Sequence, residues 1–186
     1  MTTRGQQQIV ISGVGGQGVL FVTRLLAEAA IARHLAVITS ETHGMAQRGG
    51  TVLSHLKVGG FSSPLIRPGQ ADGLLVLNAE NLELHGAYLR PGGWAVCNTG
   101  RDGKTGVTDN TAFLDADCTA LDLGNPRAAN LVLLGFALGR AAQPGGPQLF
   151  CGIADLRQAV AVRLEGRPDQ FAAAMAAVEA GYRSAE

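Results

Sequence analysis

Apolar and polar positions alternate along this chain in blocks, and the blocks change period. Ile9–Ser12 is a short apolar run of strand type. Gly18–Arg33 repeats at helical spacing: Val19, Val22, Leu26 and Ala29 fall on one face, Arg24 and Glu28 on the other. Ala36–Thr39 reads as a second strand, and a strand–helix–strand unit with turns this tight predicts parallel pairing and a right-handed crossover. Thr51–Val58 is rich in β-formers and ends at Gly59-Gly60, which predicts a turn and a short extended return through Pro64 and Ile66. Ala71–Leu77 is apolar on both faces over its last four residues, as a central parallel strand requires.

The second half follows the same alternation. Ala79–Leu89 predicts a short helix, Pro91-Gly-Gly93 a turn, and Trp94–Cys97 a strand. Asn98–Asp109 is polar and glycine-containing, hence a loop in which Asp109 is solvated along with the later Asp115 and Asp117. Thr119–Leu123 reads as a last strand. Asn125 and Pro126 open a helix as N-cap and first helical residue, running to about Arg140 and broken by Gln143–Pro147. Ile153–Leu164 and Pro168–Tyr182 are two further helices joined by Gly166. Strands alternating with helices define an α/β class. Residues 1–186 carry no internal repeat and no linker, so they read as one domain, long enough to bury roughly 70% of its unfolded surface.

Composition narrows the function more than the fold. Charged residues make up 16% of the chain and the formal net charge is zero, so there is no electrostatic case for nucleic acid or an anionic membrane. The longest apolar stretch, Leu131–Leu138, is too short to cross a bilayer, and Met1–Gln8 has no apolar leader core, which predicts a cytoplasmic protein. Cys97, Cys118 and Cys151 form no C-x-x-C, so local spacing builds neither a zinc site nor an iron–sulfur cluster. Each reads as a small buried apolar residue in a reducing compartment. His34, His55 and His85 lack metal-ligand spacing, and no metal residue is assigned.

Two glycine-framed loops carry the candidate chemistry. Gly13-Val-Gly15-Gly16-Gln17-Gly18 follows the first strand with dinucleotide-fingerprint spacing. Glycines allow a tight turn and close backbone approach, and the next helix offers free N–H groups to an anion. Glu41, 23 residues beyond Gly18 at the end of the second strand, is where an acid would meet a ribose hydroxyl. The second loop, Thr42-His43-Gly44-Met45-Ala46-Gln47-Arg48-Gly49-Gly50, is less expected of a dinucleotide domain. Arg48 can grip a carboxylate or phosphate with two hydrogen bonds, and His43 can exchange a proton near neutral pH. Both are candidate catalytic residues; Gly13, Gly15, Gly16, Gln17, Gly18, Glu41, His43, Gly44, Gln47, Arg48, Gly49 and Gly50 are the candidate ligand-binding set. Packing alone is the competing explanation for either loop. Two such loops at the C-terminal ends of neighbouring strands favour a site.

These motifs, with Thr51-Val52, Ser54-His55, Leu89-Arg-Pro-Gly-Gly93 and Leu123-Gly-Asn-Pro-Arg-Ala-Ala-Asn130, resemble the gamma domain of 2-oxoacid:ferredoxin oxidoreductases over residues 8 to 180. The likeness is strongest to the small subunits of the indolepyruvate type. The resemblance implies a Rossmann-like three-layer sandwich with a mostly parallel sheet and additional C-terminal helices. It implies thiamine-diphosphate-dependent oxidative decarboxylation of an aryl 2-oxoacid to an acyl-coenzyme A, with electrons passing to ferredoxin. Thiamine diphosphate and 4Fe-4S clusters are then expected in a larger alpha subunit, with this chain's loops near the coenzyme A and substrate approach. The chain has no G-D-G thiamine motif and no cluster cysteines, in keeping with that division. Two rival readings are an independent NAD-dependent dehydrogenase, resting on Gly13, Gly15, Gly18 and Glu41, and a nucleotide-sensing interaction module.

Overall fold

The computed structural model describes residues 6–43, 50–99 and 108–186. Its elements in chain order are β1 (Gln7–Val14), α1 (Val19–Ala32), β2 (Val37–His43), β3 (Thr51–Val58), β4 (Ala71–Val76), α2 (Glu80–His85), β5 (Leu89–Asn98), β6 (Thr111–Leu114), α3 (Ala116–Asp122), α4 (Ala129–Ala142), α5 (Ile153–Arg163) and α6 (Pro168–Arg183). One six-stranded sheet runs in the order β2-β3-β1-β4-β5-β6. The β1–β4, β4–β5 and β5–β6 pairs are parallel, whereas β3 is antiparallel to both β1 and β2. The mostly parallel α/β sheet is as expected. The direct parallel pairing of the first two strands is not: β2 turns back through a hairpin, and the return strand β3 takes the place beside β1.

Residue alternation sorts the sheet into two faces. Ile9, Ile11, Leu56, Val58, Leu75, Trp94 and Val96 face a thick helical layer made by α1, α3, α4, α5 and α6. Val10, Leu53, Leu74, Val76, Ala95 and Cys97 face a thin layer of Ile66, Leu82 and Leu89. Within the thick layer α4 is buried all round from Asn130 to Gly139, because α6 lies over it as an outer tier. Only glycine permits that approach. A Cβ on Gly135 would stand 2.0 Å from the Val178 carbonyl oxygen, and one on Gly181 would stand 1.8 Å from that of Val132.

Five local expectations are corrected. Residues 119–123 are not a strand: Asp115 caps α3 by accepting from the Cys118 amide at 2.8 Å, Ala116 and Ala120 are buried one turn apart, and Leu121 and Leu123 are exposed. The last strand is instead β6, eight residues earlier. Asp115 and Asp117 are therefore engaged, the latter accepting from Asn98 at 2.9 Å. Asn125 makes no side-chain cap; a 3-10 turn, Pro126–Ala128, precedes α4. The segment after Gly60 pairs with no strand, but Ile66 anchors it by packing into the thin layer and donating its amide to His55 Nδ1 at 3.3 Å. The predicted helix over 79–89 is shorter than expected, with a 3-10 turn at Gly86–Tyr88. Part of the polar stretch 98–109 lies outside the described residues.

Candidate functional site

The first glycine loop sits at the C-terminal end of β1, where chain connections leave to opposite sides: through α1 toward β2, and from β4 through α2 toward β5. Open α/β sheets form their ligand crevice at such a point. Each glycine there has a different reason. Gly18 caps α1 with φ 81°, and a Cβ would lie 2.2 Å from Asn130 Nδ2. A Cβ on Gly13 would meet Val19, Gln17 and Leu77 within 3.1 Å. Gly16 has φ 99° and open space before it, so it serves the turn and leaves the loop surface bare. Gln17 is structural: its Oε1 accepts from the Val14 amide at 2.9 Å, and its Nε2 donates to the Leu77 carbonyl at 3.2 Å.

Beside this loop lies a cavity of about 280 Å³, lined by Gly16, Gln17, Asn98, Asp117, Arg127 and Asn130 among others. Asn98 organises its wall. Its Nδ2 donates to Leu77 O at 3.3 Å and to Asp117 Oδ2 at 2.9 Å, while its Oδ1 accepts from the Ala116 amide at 2.9 Å. Arg127 is exposed at the rim, and the first turn of α1 contains no acidic residue. The bare glycine turn and Arg127 favour an anion at this rim, while the Asp117 carboxylate that lines the same cavity opposes one. Sequence reasoning assigned Asn98 and Arg127 no role; the Asn-Pro-Arg and Asn130 spacing was the available signal for the latter side of the cavity.

Gly50, the last residue of the second loop, meets the first loop by a route the strand order explains. It is the β2–β3 hairpin, whose return strand pairs with β1 at Val14–Thr51 and Gly13–Val52. The Gly15 amide then donates to Gly50 O at 3.0 Å, tying the two loops together. The two loops are neighbours through β3, so the adjacency predicted for their parent strands β1 and β2 is replaced by a hairpin contact. Glu41 pairs with Ser54, which pairs with Ile11, so a full strand separates it from β1. Of the remaining candidates, His43 is described by its backbone alone, paired with Val52. Gly44, Gln47, Arg48 and Gly49 lie outside the described residues.

A second polar group lies beneath the thin layer. Ser12 Oγ and His85 Nδ1 share a 2.7 Å hydrogen bond, and Tyr88 packs against both His85 and His55. All of Ser12 and nearly all of both imidazoles are buried, which makes Ser12 a poor nucleophile and the group a structural one. Burial holds both histidines below their ordinary value of 6.5, with Lys57 and His85 adding to the effect on His55. A histidine whose folded value is depressed contributes stability at pH above its unfolded value, and that stability is lost as pH falls below it. The urea midpoint is therefore expected to drop between about pH 8 and about pH 5, and the drop to shrink in a His55→Gln/His85→Gln variant. A pH profile as steep in the double variant as in the parent would assign the acid sensitivity to other groups.

Burial also raises the Cys97 thiol to about 11 and the Cys151 thiol to about 12, as expected of inert apolar cysteines; Cys118 is only half buried. Among the described residues, no group of three His, Cys, Asp or Glu is placed to hold a metal ion. No helix among them is long and apolar enough to cross a membrane.

Residues 8–184 match the pyruvate ferredoxin/flavodoxin oxidoreductase family. The chain belongs to that family. It is similar to the indolepyruvate oxidoreductase subunit IorB of Archaeoglobus fulgidus, 33% identical over 158 residues that cover 74% of this chain and 79% of the relative. The same subunit of Pyrococcus horikoshii is 30% identical over 152 residues, 70% of this chain and 75% of that one. The keto/oxoacid ferredoxin oxidoreductase gamma subunit of Geobacter sulfurreducens superposes with a TM-score of 0.73 at 25% identity, covering 96% of this chain and 98% of that one. A 2-oxoglutarate:ferredoxin oxidoreductase from Magnetococcus marinus, solved with 2-oxoglutarate, coenzyme A and succinyl-CoA bound, shares the fold at TM-score 0.77 and 20% identity. The match covers 98% of this chain and 31% of that longer one, so this fold occurs both as a separate chain and as part of a larger one.

Proposed function

We propose that this chain is the small subunit of an indolepyruvate-type 2-oxoacid:ferredoxin oxidoreductase, active in complex with a larger subunit and inactive by itself. The observation that carries the reading is the 33% identity to a protein named as an indolepyruvate oxidoreductase subunit, spread over 74% of the chain. In this reading thiamine diphosphate and the iron–sulfur clusters belong to the larger subunit. The chain's own donors fit that assignment: two of its three thiols are buried and strongly protonated, and none neighbours another in sequence. Thiamine diphosphate would supply the carbanion chemistry of decarboxylation, and the clusters would carry electrons toward ferredoxin. This chain contributes shape and charge near the acyl acceptor.

The crevice at Gly16 and Gln17 is our candidate for the coenzyme A contact. Arg127 at its rim and the bare Gly16 turn suit the phosphates of that ligand. Arg48, in the second loop, is the candidate for a second anion grip, on the 2-oxoacid carboxylate or on coenzyme A. Localisation in the cytoplasm follows from this role and from the company of ferredoxin. The dehydrogenase alternative has less support, since Glu41 lies a strand away from β1 rather than beside it.

The test is reconstitution. The chain expressed alone is expected to show no 2-oxoacid-dependent dye reduction and no broad cluster absorbance; co-expression with the larger subunit restores both. Arg48→Ala in that complex is expected to lower turnover or the affinity for one anion by roughly ten- to a hundred-fold, since a charged hydrogen bond contributes about 1.5–3 kcal/mol. Arg48→Lys should recover little of it, because lysine lacks the planar fork. Arg127→Ala should raise the Michaelis constant for coenzyme A and leave that for the 2-oxoacid unchanged. Turnover by the isolated chain, or wild-type kinetics in all three variants, would overturn the assignment.

A further inference from the structure

Segment 59–70 leaves the end of β3 and reaches β4 without pairing with any strand. Its two ends are fastened by groups that do not titrate. Gly59 donates its amide to Ala36 O at 2.7 Å, and Gly60 O accepts from Gln6 Nε2 at 3.3 Å. At the other end Gly69 donates its amide to Ala87 O at 2.8 Å, and Gln70 O accepts from Gln8 Nε2 at 3.0 Å. The middle rests on one residue. Ile66 is the only buried residue of the segment; its side chain joins the thin-layer cluster of Val10, Leu53 and Leu74, and its amide donates to His55 Nδ1 at 3.3 Å.

That bond makes a strict demand on the imidazole. A backbone amide only donates, so Nδ1 must keep its lone pair and the ring proton must sit on Nε2. The contact exists only while His55 is neutral. The Ser12–His85 bond makes no such demand, because a hydroxyl both donates and accepts and simply reverses when the imidazole gains a proton. Of the two buried histidines, His55 alone ties its protonation state to the position of a chain segment.

The surroundings of His55 offer its charged form nothing. Its strand neighbours are Val10 on β1 and Ser40 on β2. The titratable and charged groups that face it are Lys57 from its own strand, His85 from α2 and the Tyr88 ring from the turn after α2, with Arg67 of the segment itself beyond Lys57. No carboxylate pairs with it among the described residues. A proton that reaches the ring therefore finds two further cations near it, a missing lone pair where Ile66 needs one, and water only if the segment moves away.

We propose that segment 59–70 is an acid-released strap: protonation of His55 removes the acceptor that the Ile66 amide requires, and the middle of the segment lifts from the thin layer while its two ends stay fastened. Release bares the apolar surface under Ile66 and gives the charged imidazole water. The sign follows from burial, which holds the closed-form value below 6.5: the closed strap is fully favoured above that ordinary value and loses ground as pH falls below it. The device does not depend on the subunit assignment above.

Amide hydrogen exchange on the full chain tests it. Between pH 7 and pH 5 the protection of the Ile66 amide, corrected for intrinsic exchange, is expected to fall by about tenfold or more, while the Leu133 amide in α4 keeps its protection. His55→Gln supplies a side-chain oxygen that accepts at either pH, so its Ile66 protection should be flat across the same range. His85→Gln should retain the parent's fall. Flat protection in the parent, an undiminished fall in His55→Gln, loss of the fall in His85→Gln, or a parallel fall at Leu133 would each overturn the proposal. The parent alone gives a second reading: the His55 ring and the Ile66 amide should titrate in NMR spectra with one shared midpoint, and two separate midpoints would show that protonation and release are different events.

Discussion

A chain carrying Gly181→Ala is expected to lose about 3 kcal/mol or more of stability, and Gly135→Ala a similar amount. In an ordinary helix the same change adds roughly 1 kcal/mol of stability, because alanine is the better helix former. Here the new methyl would stand 1.8 Å from the Val132 carbonyl oxygen in one case and 2.0 Å from that of Val178 in the other. Both obstacles are backbone atoms inside helices, so neither can rotate away. The α4–α6 pair would have to separate along its length, opening the contact of Val132, Leu133, Phe136, Ala174 and Val178. Overpacking alone usually costs 1–3 kcal/mol, and a whole domain is stable by only about 5–15. Urea denaturation of the two single variants measures the effect. A midpoint equal to or above that of the parent would mean that the helices yield easily and that the close approach has no energetic weight.

Those glycines show where a sequence stops being legible. The pattern of Leu131–Leu138 marks α4 as a helix, and the Pro168–Tyr182 repeat marks α6, because periodicity is a local property. That α4 is covered on both sides depends on α6 returning from forty residues away. Gly135, Gly139 and Gly181 look like weak points in helices until that partner is in place. The same limit explains the strand order. Nothing within Ala36–Thr39 or Thr51–Val58 says that the chain turns back at once and that the returning strand takes the position beside β1. A βαβ unit and a β-hairpin inserted into one share their local signals, and pairing decides between them.

At the candidate site, residue type was legible and purpose was mixed. The glycine loop reads correctly as a tight strand–helix turn, but Gly13, Gln17 and Gly18 are tied up in packing and hydrogen bonds, and Gly16 keeps the loop surface open. The misreading of residues 119–123 hid the rest. A β-like Thr-Ala-Leu-Asp-Leu run is in fact a helix started by the Asp115 cap, and only as a helix does it set Asp117 against Asn98 and close the cavity wall. One capping side chain outweighed a weak local preference.

Asn98→Ala should destabilise the protein by about 2–4 kcal/mol and reshape the cavity at the same time. The side chain makes three hydrogen bonds that join the ends of β4 and β5 to the start of α3. Leu77 O would still receive Gln17 Nε2, so that carbonyl is not orphaned. The Ala116 amide loses its acceptor within a fully buried residue, and an unmet buried donor costs about 1–3 kcal/mol. The void left by the amide adds to this. Asp117→Asn keeps an acceptor facing Asn98 and should cost less than about 1 kcal/mol, which separates the loss of a charge from the loss of the hub. Asn98→Asp keeps the acceptor for Ala116 but sets two carboxylates against each other, so it should be milder at acid pH than at neutral pH. Hydrogen exchange at the α3 amides locates the damage: faster exchange there, with the α4–α6 amides protected, is the expected pattern. Turnover of the reconstituted complex then decides what the cavity is for. If Asn98→Ala loosens α3 while the Michaelis constant for coenzyme A stays at the parent value, the crevice is a packing defect beside the glycine loop and the acyl acceptor is held elsewhere. If that constant rises while the one for the 2-oxoacid does not, the hub that closes α3 onto the sheet also shapes the acceptor's approach.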